Sequence, residues 1–137
     1  MARLLGVDLG EKRVGLAVSD TSGILATPLR VLHVTSPNDA VRQVAAACVE
    51  VGAEGVVLGL PRNMDGTEGP KARESRTFAE KLGAAAALSV TLWDERLTTS
   101  LVERVLLDSD VSRRRRREVV DKLAAQAILQ SYLDAQC

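Results

Sequence analysis

The stretch LLGVDLGEKRVGLAVSDTSGILATPLRVLH, residues 4–33, decides the fold. It opens with an apolar run, residues 4–9, interrupted by Asp8. Gly10-Glu11-Lys12-Arg13 then reads as a turn. Val14, Leu16 and Val18 alternate with other residues, so residues 14–19 form a second strand with one apolar face. Asp20-Thr21-Ser22-Gly23 is another turn, and residues 24–33 give a third strand that Pro28 bends or places at an edge. Three strands joined by short turns make an antiparallel meander.

Beyond this stretch the period changes. Ser36 can cap a helix, Pro37 suits its first position, and Asp39 suits its positive end. Val41, Val44, Ala45, Cys48 and Val49 form the apolar stripe, and Gly52 can end the helix in a left-handed conformation. Residues 55–60 are a nearly continuous apolar strand, suited to the middle of a sheet. A polar loop, residues 61–69, leads to Pro70, which can open a helix with Phe78, Ala79 and Leu82 inward. Val90 and Leu92 mark a fifth strand. Thr98 can cap a short helix through about Leu107, and Ser112 a last helix running nearly to the C-terminus. Three antiparallel strands followed by alternating helix and strand predict an α/β fold, a mixed five-stranded sheet with helices on both faces.

Length and composition bound the function. At 137 residues and 46% hydrophobic, the chain fits one domain, residues 1–137. No apolar run spans a membrane. An acid, Asp8, stands where a signal peptide would be apolar, so the expectation is a mature, cytoplasmic protein. Cys48 and Cys137 are too few for a disulfide framework, and with one histidine they make a Cys/His zinc site a poor reading. The formal net charge is zero, yet positive charge is concentrated locally. Residues 113–117 are five consecutive arginines, Lys12 and Arg13 form a pair, and Arg62, Lys71, Arg73 and Arg76 follow one another along a loop and helix start. Phe78, Trp93 and Tyr132 are the only aromatics, which argues against stacking bases on aromatic platforms.

Three carboxylates carry the chemical argument. Asp8 lies among Leu4, Leu5 and Val7, where a charge is costly unless it is paired or binds a metal. Gly6 and Gly10 flank it and let other groups approach the backbone. A strand-end aspartate bonded to turn amides would explain it equally well. Asp94-Glu95-Arg96 directly follows the fifth strand, where sites assemble in open α/β sheets. Adjacent strand residues face opposite ways, so Asp94 and Glu95 should not share a task; a solvated turn with a local ion pair is the plainer reading. Asp121 falls between Ile128 and Tyr132 in helical phase, at the flank of a stripe formed by Val120, Ala124 and Ala127. By itself it could be a boundary residue paired with Lys122 or Arg117. Taken together, the three come from elements that can converge on one sheet edge. Clustered carboxylates repel unless cations neutralise them, and oxygen donors without His/Cys favour Mg2+ or Mn2+. Two such ions about 3.5–4 Å apart can cleave a phosphodiester.

Four motifs, in order, resemble the YqgF family, also called RuvX, over essentially the whole chain. They are Gly6-Val7-Asp8-Leu9-Gly10 with Lys12-Arg13-Val14-Gly15-Leu16-Ala17 and Ser19-Asp20; Gly59-Leu60-Pro61 with Asn63, Asp65-Gly66 and Gly69; Asp94-Glu95-Arg96-Leu97-Thr98-Thr99; and Asp121 with Ala124, Ala127-Ile128-Leu129 and Tyr132-Leu133. The resemblance implies an RNase H-like fold and a nuclease whose catalytic, metal-holding acids are Asp8, Glu95 and Asp121. It implies maturation of the 5′ end of 16S ribosomal RNA, with Holliday-junction resolution as the related alternative. A resolvase makes two symmetry-related cuts, which would call for a homodimer. The candidate nucleic-acid-binding residues are Lys12, Arg13, Arg62, Asn63, Lys71, Arg96, Arg113, Arg114, Arg116 and Arg117. Two rivals remain. Val7-Asp8-Leu9-Gly10 also looks like the phosphate-binding turn of the actin and sugar-kinase ATPases, although no P-loop pattern accompanies it. A non-catalytic RNA- or protein-binding module would leave the clustered acids without purpose.

Overall fold

The computed structural model describes residues 3–95 and 113–136, with side chains from residue 120 onward in the second segment. Strands β1 (Leu4–Leu9), β2 (Arg13–Ser19) and β3 (Ala26–His33) form the expected meander. Helix α1 (Pro37–Val51), strand β4 (Gly55–Leu60), helix α2 (Pro70–Ala86), strand β5 (Ser89–Asp94) and helix α3 (Arg113–Ala135) follow. The sheet order is β3-β2-β1-β4-β5. β1 pairs antiparallel with β2 and parallel with β4, so the first strand stands at the centre. The helix expected from Thr98 through Leu107, and the cap expected at Ser112, lie outside the described residues.

Local chemistry explains the element ends. Ser36 Oγ accepts the Asp39 N–H at 3.1 Å, and Gly52 closes α1 at φ 67°. Pro28 sits in the edge strand β3, where its missing N–H costs no central ladder bond, and the register slips beside it between Leu16 and Ala17. Val49, expected inside, is 82% exposed; α1 instead buries Ala40, Val44, Ala47 and Cys48. Helix α2 ends at Ala87, which holds a left-handed φ of 55°. A β-carbon is strained there. Ala87→Gly should therefore raise stability by about 0.5–1 kcal/mol, read from the urea midpoint.

Strand alternation divides the core. Leu5, Val7, Val14, Leu16, Val56 and Leu58 face α1 and α2, where Val44, Cys48, Phe78 and Leu82 meet them. The opposite face of the sheet carries Ala17, Ala26 and Val57 against Ala125, Ile128, Leu129 and Leu133 of α3. The inner stripe of α3 thus runs through Ala125, Ile128, Leu129 and Leu133, not through Val120, Ala124 and Ala127. Asp121, one turn before Ala125, lies on that stripe rather than at its flank.

Helix α3 is tied to both edges of the sheet. Gln130 Oε1 accepts the Ala26 N–H at 2.8 Å and Gln126 Nε2 donates to the Ala26 carbonyl at 3.0 Å, which satisfies the β3 edge. Toward the other edge, Trp93 Nε1 donates to Ser131 Oγ at 3.0 Å and the Trp93 ring meets Tyr132 edge-on at 5.4 Å. Two of the three aromatics therefore fasten the helix to the sheet. Among the described residues no helix is long and apolar enough to cross a membrane.

Candidate active site

The site forms where β1, β5 and α3 meet, and glycines make room for it. Gly6 and Asp8 point to the α3 side of β1, because Leu5 and Val7 point to the other. Asp8 lies opposite Gly15 on β2. On its other side the parallel register pairs Val7 with Leu58, so the next step along β4 is Gly59. Asp8 is thus the one side chain in a row of three strands. A β-carbon on Gly15 would strike the Asp121 carbonyl oxygen. One on Gly59 would strike the Glu95 carboxylate and, at 2.6 Å, the Ile128 methyl. The bare rows let α3 settle against β2 and let Glu95 lie over β4.

Glu95 reaches this space from the residue after β5. Trp93 faces α3, so Asp94 turns away and Glu95 turns back to the α3 side. That is the alternation expected of the pair. Glu95 and Asp8 are hydrogen-bonded to each other. Burial, the charge and hydrogen bond of Glu95, and the charge of Asp121 push the Asp8 carboxyl up to about 8. Burial and the nearby Asp94 also raise Glu95, opposed by its bond to Asp8 and by the Lys71 ammonium. The two carboxyls therefore share a proton near neutral pH. Asp121 is held differently: Arg13 Nε donates to its Oδ2 at 2.7 Å. The expected partners Lys122 and Arg117 are replaced by a residue 108 positions away. Among the described residues, no three carboxylate, histidine or cysteine side chains stand together as a ready-made metal cage. Asp8 and Glu95 touch, and Asp121 is felt by Asp8 through its charge.

The basic candidates divide. Arg13 is committed to Asp121, and Lys12 is exposed at the tip of the β1–β2 hairpin. Arg62, Asn63 and Lys71 line a cavity of about 270 Å³ between the loop after β4 and the start of α2. Glu68 is gripped there by Arg76 at 2.6 and 2.7 Å, with Arg62 farther off at 3.8 Å. The buried Arg62 Nε has no partner among the described residues. Gly69 caps α2 without a side-chain bond, and the start of the helix, Gly69 to Ala72, lines this cavity. Arg96, and the side chains of Arg113, Arg114, Arg116 and Arg117, lie outside the described residues. The role of Arg13 was not legible in the sequence, because nothing local marks its partner; Gly15 and Gly59 were visible as motif residues, but their purpose follows only from the register.

A family profile described as "RuvX: Holliday junction resolvase" matches residues 2–135. A protein of Desulforudis audaxviator named "Putative pre-16S rRNA nuclease" is 46% identical over 134 residues, covering 98% of this chain and 95% of its own. One of the same name from Myxococcus xanthus is 50% identical over 133 residues, covering 97% and 88%. Among solved structures, Thermus thermophilus RuvC with a Holliday-junction substrate aligns with TM-score 0.64 at 15% identity, covering 99% of this chain and 96% of that one. The fowlpox virus Holliday junction resolvase aligns with TM-score 0.59 at 12% identity, covering 98% and 99%. The fold shared with these resolvases is RNase H-like.

Proposed function

The chain belongs to the RuvX family, and on that premise we propose that it is a metal-dependent nuclease that cuts phosphodiester bonds in pre-16S ribosomal RNA, with Asp8, Glu95 and Asp121 as its metal-holding acids. One observation carries the reading: a buried, hydrogen-bonded Asp8–Glu95 pair lying over the bare backbone of Gly59. Burying two carboxyls together is costly, and a cation held between them would offset that cost. The donors are all oxygen, which fits Mg2+ or Mn2+. The close approaches that Gly15 and Gly59 allow bring Asp121 and Glu95 toward Asp8, which is what a shared ion would require.

When bound, two such ions would activate a water and stabilise the leaving oxygen. The protein's own groups do the rest. Asp8 and Glu95 would hold the ions once their shared proton has left, and Lys71 already favours the ionised form of Glu95. Arg62, Asn63 and Lys71, with the open N-terminus of α2, are suited to hold a backbone phosphate beside the acids. Lys12, at the hairpin tip, would extend that track, and Arg96 is proposed as a further nucleic-acid contact from its motif position alone. Asp94 faces away, so Asp94→Asn should lower kcat less than threefold, whereas Glu95→Gln should lower it by about 10²-fold or more. Steady-state rates on a labelled substrate, with melting curves as control, check the pair; equal losses at equal stability would contradict the assignment.

The arginine run is proposed as a second phosphate contact. Five arginines at the start of α3 oppose the positive end of its dipole. A phosphate backbone would offset that cost. Replacing Arg113, Arg114 and Arg116 with Ser should weaken binding to all sequences alike. Each lost contact should reduce the salt slope by up to about 0.9 on duplex DNA and about 0.7 on single strands. Affinity measured from low to moderate salt reads this, and an unchanged slope would return the role to Arg62 and Lys71.

The family description favours one second reading, resolution of four-way DNA junctions, for which a homodimer would be needed. Purified protein given a labelled pre-16S 5′ fragment, a single strand and a four-way junction, each with Mg2+ or Mn2+, separates the two. Cutting confined to the precursor RNA supports the rRNA assignment; paired symmetric cuts in the junction alone would replace it. We further read the chain as a single-domain cytoplasmic protein, in keeping with that substrate.

A further inference from the structure

Arg13 is placed to do more than contact nucleic acid. It opens β2 two residues before Gly15, on the face that meets α3. Asp121 is fixed opposite, since its own carbonyl packs on Gly15. The resulting bond, Arg13 Nε to Asp121 Oδ2 at 2.7 Å, is largely sheltered, with side chains 30% and 17% exposed. The strand and the helix are both held by their packing, so this pair can part only by side-chain rotation. Beyond this pair the acids face one another: Asp8 and Glu95 bond to each other, Asp8 feels the charge of Asp121, and Lys71 acts on Glu95 through its charge. Arg13 is thus the cation that the described hydrogen bonds and ion pairs place on Asp121.

We propose that Arg13 is a built-in counter-ion that occupies Asp121 while the acids are without a divalent cation and must release it when one binds. The inference rests on the metal-holding role proposed above for these acids. It makes cation binding a competition. A divalent ion gains Asp121 only by breaking a partly desolvated ion pair, so the intrinsic affinity of the acids is reduced by the population in which Arg13 holds Asp121. The arrangement also has a structural benefit. A metal-free protein keeps Asp121 neutralised, so α3 stays docked at Gly15 before any ion arrives.

The test is Mn2+ binding measured by calorimetry on wild type, Arg13→Gln, Arg13→Lys and Asp8→Asn. Arg13→Gln should bind Mn2+ about tenfold more tightly, the effect of roughly one modest ion pair removed. Arg13→Lys should fall between it and wild type, because an ammonium keeps the charge but loses the directed Nε bond. Asp8→Asn should lose Mn2+ binding. If Asp8→Asn binds Mn2+ like wild type, the site itself is misassigned and the proposal falls with it. If Asp8→Asn loses binding while Arg13→Gln binds no better than wild type, the counter-ion proposal alone is overturned. A measurement on the unaltered protein covers poor folding of the variants. The Arg13 Nε–H resonance, identified by its absence in Arg13→Lys, should move and lose protection from solvent exchange on Mg2+ titration. A resonance unchanged at saturating Mg2+ would show that Arg13 keeps Asp121 throughout, and would overturn the proposal.

Discussion

Asp8→Asn is expected to abolish cleavage, with kcat reduced by about 10³-fold or more, while the metal-free protein becomes more stable at neutral pH. The two effects share one cause. Burial, Glu95 and Asp121 push the Asp8 carboxyl up to about 8, far above the ordinary aspartate value of about 3.9. Between those values the folded protein binds a proton that the unfolded chain has lost. Stability from this group is complete below about pH 4 and declines as pH rises toward 8. Asparagine has no such proton to lose and can still donate to Glu95. The substituted protein should therefore melt roughly 3–6 °C higher than wild type at pH 7.5 in the absence of divalent ions. Added Mg2+ should close the gap by stabilising wild type alone. Calorimetric melts at pH 5 and 7.5, with and without Mg2+, read all of this. An Asp8→Asn protein that melts lower at pH 7.5 and still cuts would contradict the assignment on both counts.

The second large effect separates two glycines that look alike in the sequence. Gly15→Ala should cost about 3 kcal/mol or more, or prevent folding. Its β-carbon would meet the backbone carbonyl of Asp121, and no rotamer change can relieve a clash between two backbones. The helix must lift from β2 or the strands must part. Gly59→Ala is different, because it meets the Glu95 carboxylate and the Ile128 methyl, the ends of two side chains. Those can swing aside at about 1 kcal/mol. Glu95 would then leave Asp8, so activity should fall by about 10²-fold while the fold survives. Urea midpoints and cleavage rates on the two variants form the test. A Gly15→Ala protein as stable as wild type, or a fully active Gly59→Ala protein, would show that the glycine rows do not shape the site.

Local signals carried most of the fold. The meander was legible because Val14, Leu16 and Val18 alternate between two turns, and α1 because Ser36, Pro37, Asp39 and Gly52 mark its ends chemically. The phase of α3 was not. Its middle is rich in alanine on several sides, at 124, 125 and 127, so side-chain size gives little contrast between inner and outer faces. The buried set is chosen by contact with Ala17, Ala26 and Val57 on other strands. The separation of Asp94 from Glu95 followed from strand alternation alone. The meeting of Asp8 with Glu95 and of Arg13 with Asp121 joins residues 87 and 108 apart, so only the sheet order β3-β2-β1-β4-β5 and the docking of α3 bring them together. Val49 was misjudged for a related reason: an apolar residue at a helical position near the stripe is buried only if a neighbour covers it, and at 82% exposure none of the described residues does.

If the three acids hold the metal, cleavage depends on divalent ions. A labelled pre-16S RNA 5′ fragment is incubated with purified protein after exhaustive EDTA treatment, then with Mg2+ or Mn2+ restored stepwise, beside an Asp8→Asn control. The expected result is no cleavage in EDTA, recovery that rises with added ion, and none in the control at any concentration. Cleavage that persists in EDTA, or that Asp8→Asn performs equally well, would contradict it.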